Sequence, residues 1–438
     1  MMNTFDVSTT SMGVIYRKRV FTAYHLLRPQ TLLLAAVVLM LMFTLVPPTF
    51  YEHTIHEPDL MFANPVLFIF LITCATIVLL GIRVGYAIAY RMPPRLATLV
   101  RVPAFVYLML PTVAALGLLL ITIATILRND PAILALALSG EGQQVKLALS
   151  HASRGAMMGS LPLAMGVMWW VWANYLRLSL RINRLGKFML VFLVGSLMTS
   201  LFLSALLMMS RFVLMPAIFG FFLIYLRHAV LMRGVRVSGI LLRGLMIMTL
   251  LLVLFGGVAV LRSNIGYHGH DALLTSFIGY GPTSINHLAG YLDGRFPSGL
   301  LKQSVLPNDF GFIYQFPFAD RFFPTASLSF AQAFKLSFRV TYDAGLNGNY
   351  TWFTSWGQIL AGTGWFAPLY LLLYGFFFAR AWRGFTAGGT SGMLLYPWFA
   401  FNVLFTFGAN FAASNFLSIL VLLSIWLYMY SGLVRISS

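Results

Sequence analysis

Apolar stretches long enough to cross a bilayer as a helix recur along this chain, at 30–46, 63–82, 103–126, 155–173, 188–210, 212–226, 237–261, 365–379, 390–409 and 416–434. In lipid every backbone N–H and C=O must find an internal partner, so such stretches fold as helices packed against one another. The pattern predicts an all-α polytopic membrane protein of about ten transmembrane helices, with residues 1–438 forming a single integral membrane domain. Only 9% of residues are charged and 59% are hydrophobic, a balance that no soluble core can absorb. The single cysteine, Cys74, lies inside an apolar stretch and supplies neither a disulfide framework nor a thiolate metal cluster. Arg17, Lys18, Arg19 and Arg28 precede the first apolar stretch without a small-residue cleavage pattern, so that segment is expected to remain as a helix.

A net charge of +18 invites a nucleic-acid partner, but the distribution of the charges argues otherwise. With the N-terminus inside, the connectors alternate and 19 of the 29 Lys and Arg residues fall on the inner side. The acidic residues agree independently with that orientation, since only Asp6 of the 11 falls inside. The expectation is a bacterial inner-membrane protein with both termini cytoplasmic, its basic excess facing anionic lipid and no nucleic acid bound.

The connectors expected outside are unequal. Residues 47–62 carry His53, His56, Glu57 and Asp59, and residues 127–154 end in His151 and Arg154. Residues 262–364 hold no spanning stretch at all and are expected to form a large periplasmic loop subdomain. Helix-like periodicity at 271–294 and 325–340 predicts short helices lying along the interface, with 295–324 as irregular connection.

No span carries a mid-membrane Asp or Glu, which argues against proton-coupled transport, and no phosphate-binding loop, HExxH or GxSxG motif occurs. No metal and no cofactor is expected. What stands out is a set of arginines on the outer side: Arg154, Arg211, Arg262, Arg295, Arg321 and Arg339. Guanidinium groups grip phosphate oxygens in pairs and stay charged at a low-dielectric interface. Snorkelling to headgroups is the plain alternative, and Arg211 and Arg262 depart from it most because they break the positive-inside trend. In LRSNIGYHGHD (261–271), His270 beside Asp271 forms a pair able to take a proton from a sugar hydroxyl; a hydrogen-bonded polar loop is the alternative. IGYGPTSINHLAGYLDG (278–294) adds Tyr280, Asn286 and His287, and NGNYTWFTSWGQILAGTGWFAPLY (347–370) adds Asn349, Tyr350, Thr351 and Trp356. Flat rings mixed with amides and hydroxyls suit a carbohydrate, although aromatics at such positions also form interfacial belts.

With these residues in view, the chain resembles the oligosaccharide repeat-unit polymerases, the Wzy-type O-antigen and exopolysaccharide polymerases. The resemblance rests on SRFVLMPAIFGFFLIYL (210–226), on NYTWFTSWGQILAGTGWFAPL (349–369), and on one large loop before the last spans. Where family members often carry Asp ahead of the Gly-rich turn, this chain has Leu360, Ala361 and Gly362, so no acidic role is implied there. The resemblance implies a membrane glycosyltransferase of GT-C-like architecture. Such an enzyme polymerises undecaprenyl-diphosphate-linked oligosaccharide units in the periplasm without a metal, beside a flippase and a chain-length regulator. Arg211 and Arg262 would then stabilise the diphosphate, His270 or Asp271 would take the proton, and Arg154, Arg339, Tyr280, Asn286, His287, Asn349, Tyr350, Thr351 and Trp356 would bind substrate. An O-antigen ligase-like transferase and a flippase or transporter for lipid-linked oligosaccharide are the competing readings, followed by a structural subunit of an assembly machine.

Overall fold

A computed structural model of the chain describes residues 25–61, 64–91, 100–129, 154–207, 211–233, 279–297, 330–348, 350–412 and 414–437, with isolated positions between them. Its main helices among the described residues are α1 (Pro29–Phe43), α2 (Pro65–Ala87), α3 (Ala104–Asn129), α4 (Arg154–Leu178), α5 (Arg184–Leu207), α6 (Arg211–Arg233), α7 (Tyr280–Leu292), α8 (Phe330–Asp343), α9 (Ser355–Thr363), α10 (Ala367–Ala387), α11 (Thr390–Leu404) and α12 (Asn415–Leu433). Strand β1 (Val100–Pro103) pairs in parallel with β2 (Val434–Ser437).

The protein is an all-α multi-pass membrane protein. Among the described residues, α2, α3, α5 through Ala205, the continuous run Ser355–Ala387 and α12 are five helices long and apolar enough to cross a membrane. A sixth candidate is α1 together with Pro48–Ile55, bent by 80° at the break. The segment expected to span at 237–261 lies outside the described residues except at isolated positions. Large apolar side chains such as Ile69, Ile72, Ile121, Phe192 and Leu422 face outward, as helices solvated by lipid require. Hydroxyls inside the spans bond back along their own helix, as Thr112 does to the Leu108 carbonyl (2.8 Å) and Ser204 to the Ser200 carbonyl (2.7 Å), which keeps these two from meeting hydrocarbon unpaired.

Glycine sets the closest helix contact. A Cβ on Gly81 would fall inside the Leu372 carbonyl, one on Gly375 inside the Val78 carbonyl, and one on Gly85 would lie 2.7 Å from the Phe376 oxygen. Thus α2 and α10 touch backbone to backbone, the small-residue packing that replaces the hydrophobic effect between membrane helices. At one end of this pair, Arg383 and Arg380 of α10 donate to carbonyls in the last turn of α2 and just beyond it, and Arg227 of α6 donates to the Phe385 and Thr386 carbonyls at the end of α10. The ribbon closes the same end, which we term the arginine end. At the opposite, acidic end, the 44–64 connector, α7, residues 344–366 and residues 405–414 come together.

Two loop helices matter for that end. Helix α8 is amphipathic, with Val340 and Thr341 buried and Lys335, Arg339 and Tyr342 exposed. Helix α7 differs from the surface-lying helix expected at 271–294, because every residue from Gly281 to Gly290 is buried. Its polar residues do not face water; they face another segment of the chain.

Candidate functional site

The acidic end is organised around Glu57. The chain leaves Pro48–Phe50 through a π-helical turn, Tyr51–Ile55, and His56 closes it in the left-handed region (φ 60°) while the Glu57 amide donates to the Tyr51 carbonyl at 3.0 Å. That reversal turns the Glu57 side chain inward, where it is 4% exposed. Its Oε1 accepts from Asn286 Nδ2 at 2.8 Å, and its Oε2 accepts from the Asn347 amide at 3.2 Å and lies 2.9 Å from His287 Nε2. Asn286 and His287 sit side by side on α7, so one carboxylate holds two adjacent residues of a helix some 230 positions away.

Neighbouring bonds lock the same segments. Asn286 Nδ2 also donates to the Pro58 carbonyl (2.9 Å), its Oδ1 accepts from the Leu60 amide (2.7 Å), and Asn347 Nδ2 donates to the Ile55 carbonyl (2.6 Å). Asn64, which caps α2 by accepting from the Leu67 amide, donates to Asp293 at the end of α7 (3.2 Å). With Nε2 carrying the hydrogen that faces Glu57, His287 Nδ1 is left buried with no partner among the described residues, as is Thr283 Oγ1 one turn earlier on α7. Burial, and then Asp59 and Glu57, push the Tyr51 phenol well above its ordinary range, and burial raises that of Tyr291, so both stay neutral.

Beside this node lies an aromatic layer. Tyr280 meets Tyr350 edge-on (5.1 Å between centroids) and Trp352 (4.7 Å), and Trp352 meets Phe405 (5.9 Å) and Phe411 (6.3 Å). Thr351 is half-buried between them in the chain, and Trp356 is buried. Thr354 fixes the turn into α9 with φ 66° and ψ 152°, a conformation costly for a residue with a Cβ; its hydroxyl accepts from the Gly357 amide at 3.1 Å, and the next amide, Ser355, donates to the Thr406 carbonyl at 2.8 Å. A second polar group follows: the Asn410 amide donates to Gln358 Oε1 (2.7 Å) and Asn410 Nδ2 to the Tyr370 hydroxyl (3.2 Å).

Four of the residues singled out in the sequence, Tyr280, Asn286, His287 and Tyr350, therefore belong to one layer, with Thr351 next to Tyr350 in the chain and Trp356 buried in α9. Arg154 and Arg211 are the first residues of α4 and α6, at the acidic end of the bundle. Arg339 is not drawn in: its side chain is 76% exposed and pairs with Asp343 one turn along α8 at 3.6 Å. Arg262, His270, Asp271 and Asn349 lie outside the described residues. Sequence reasoning missed Glu57, Asn347, Gln358 and Asn410; the only local signal was the density of titratable residues in 47–62. No group of His, Cys, Asp and Glu among the described residues has the make-up to hold a metal ion.

Tyr280, Thr351 and Trp352 are the half-buried members of this layer, the ones with surface that a polyhydroxylated ligand could stack on or hydrogen-bond, whereas Tyr350, Trp356, Asn286 and His287 are buried. Set beside known proteins, the chain matches no family model, no curated protein and no solved structure.

Proposed function

We propose that this chain is an inner-membrane glycosyltransferase, GT-C-like with about ten spans and cytoplasmic termini, that polymerises undecaprenyl-diphosphate-linked oligosaccharide units into O-antigen or exopolysaccharide on the periplasmic side. The observation that carries this reading is the layer around Glu57. Three sequence-distant connectors meet there to hold Tyr280, Tyr350 and Trp352 beside amide donors, at the bundle end where α6 begins with Arg211.

In the reaction, an acceptor sugar hydroxyl attacks the anomeric carbon of the growing glycan. A new C–O bond forms, and the bond to the diphosphate breaks with its electron pair leaving on the phosphate oxygen. Arg211 and Arg262 offset that charge, and the hydroxyl proton passes to His270 or Asp271. Glu57 and His287 act as positioning residues, holding α7 so that its aromatic neighbours meet the sugar.

The test mixes the purified full chain with a lipid-linked repeat unit, with and without EDTA. We expect a ladder of longer lipid-linked glycans that survives chelation and disappears in Arg211→Ala. A ladder that persists in that variant removes the assignment of Arg211, and transfer only to a different acceptor makes the enzyme a ligase. No ladder with any lipid-linked donor overturns the polymerase reading.

A further inference from the structure

The arginine end carries a feature that the proposed reaction does not use. Arg380 and Arg383 stand one turn apart on α10, and both are half-buried. Arg380 Nη1 donates to the Ile88 and Ala89 carbonyls, each at 3.0 Å, and Arg383 Nη1 donates to those of Tyr86 (2.9 Å) and Ile88 (2.6 Å). Because one oxygen, that of Ile88, accepts from both, the two Nη1 atoms cannot lie farther apart than those two bonds placed end to end. Two guanidinium charges are thus pinned side by side.

Nothing on the described chain neutralises them. The contacts between basic and acidic side chains among the described residues, His287 with Glu57 and Arg339 with Asp343, involve residues outside the arginine end. The carbonyls supply dipoles but no net charge, and they engage only Nη1. Nε and Nη2 of both arginines have no partner among the described residues, and these are the N–H edges that take phosphate oxygens in pairs. Tyr90 walls one side, its ring 5.2 Å from the Arg380 guanidinium carbon. On the side toward the bilayer interior, Leu373 and Phe377 precede Arg380 by two turns and one turn on the same helix. Both are exposed, as are Val84 and Ile88 of the neighbouring α2 segment. Cationic edges at a helix end above a strip of exposed apolar side chains match a headgroup with its acyl chains.

We propose that Arg380 and Arg383, flanked by Tyr90, form a binding site for the phosphodiester headgroup of an anionic phospholipid, whose chains lie along Leu373 and Phe377. The lipid anion replaces the missing carboxylate and ties the end of α2 to α10. This site is independent of the reaction proposed for the other end.

Native mass spectrometry of the full chain in detergent tests it, with added phosphatidylglycerol, phosphatidylcholine or inorganic phosphate. The wild type should retain phosphatidylglycerol in preference to phosphatidylcholine, and millimolar inorganic phosphate should not displace it. In Arg380→Gln/Arg383→Gln retention should fall on the order of tenfold or more, whereas Arg181→Gln, at an exposed arginine outside α2 and α10, should leave it unchanged. Equal retention of phosphatidylcholine, displacement by free phosphate, or undiminished retention in the double variant would each overturn the proposal. The wild-type comparison decides the matter even if the double variant does not fold.

Discussion

Removing the Glu57 carboxylate should loosen the acidic end more than any other single truncation there. Glu57→Ala takes from one Asn286 N–H, the His287 ring and the Asn347 backbone amide the carboxylate they share, in a region where Asn286 and His287 are fully buried. Each orphaned donor costs about 1–3 kcal/mol, so three of them place the loss toward the lower end of about 3–9 kcal/mol once the site relaxes. Glu57→Gln keeps the shape but turns one oxygen into a donor. Asn286 cannot flip to meet it, because its Oδ1 is held by the Leu60 amide and its Nδ2 by the Pro58 carbonyl, so the amide should lose about 1–3 kcal/mol. Cys74 provides the assay: as the single cysteine, 4% exposed inside α2, its thiol becomes reactive to a fluorogenic maleimide only as the bundle opens. The melting midpoints should fall in the order wild type, Glu57→Gln, Glu57→Ala. Adding His287→Ala to Glu57→Ala should cost less than the sum of the single losses, since the two share one interaction. A Glu57→Ala midpoint equal to the wild type, or strict additivity in the double variant, would refute the account of Glu57 as the clasp.

Gly81→Ala and Gly375→Ala should each destabilise by about 1–3 kcal/mol, because the new methyl meets backbone carbonyls that cannot swing aside, whereas Gly117→Ala and Gly195→Ala meet open space and should stabilise by about 0.5–1 kcal/mol; the same thiol melts measure all four. The raised pKa of Tyr51 favours the neutral phenol in the folded state, so its contribution is complete below the ordinary phenol value of 10.0 and is lost as pH climbs past it. Between about pH 8 and about pH 11 the wild-type midpoint should drop, and Tyr51→Phe should drop less, with the remaining slope partly from Tyr291, which shifts the same way; parallel curves for the two proteins would remove Tyr51 as the cause.

What could be read from the chain alone was whatever local pattern encodes. Pro29 and Pro65 at helix starts, and the apolar stretches that follow them, locate α1 and α2 to within a few residues, because spanning length and capping are decided by neighbours in sequence. The chemical type of Asn286, His287 and Tyr350 was legible for the same reason. Their arrangement was not. The stretch around α7 reads as a helix with a wet face of Thr, Ser, Asn and His, and periodicity cannot tell water from a carboxylate contributed 230 residues earlier. The left-handed His56 that aims Glu57 carries no sequence mark either, since a histidine there is neither Gly nor Asn.

The two ends of the bundle illustrate how one charge can serve two purposes. Arginine placement at Arg227, Arg380 and Arg383 is legible as topology, yet these side chains also cap α10 and the chain leaving α2, where helix carbonyls have no further N–H to meet. An arginine counted only for its sign is thereby also a structural clamp, so removing it disturbs helix ends as well as orientation. At the acidic end the opposite holds: Glu57 contributes little to a count of charges, but its three donors join the 44–64 connector, α7 and the turn before α9. The aromatic layer can then be rigid without any strand or disulfide among its described residues, because a single buried acceptor removes the freedom of three segments at once.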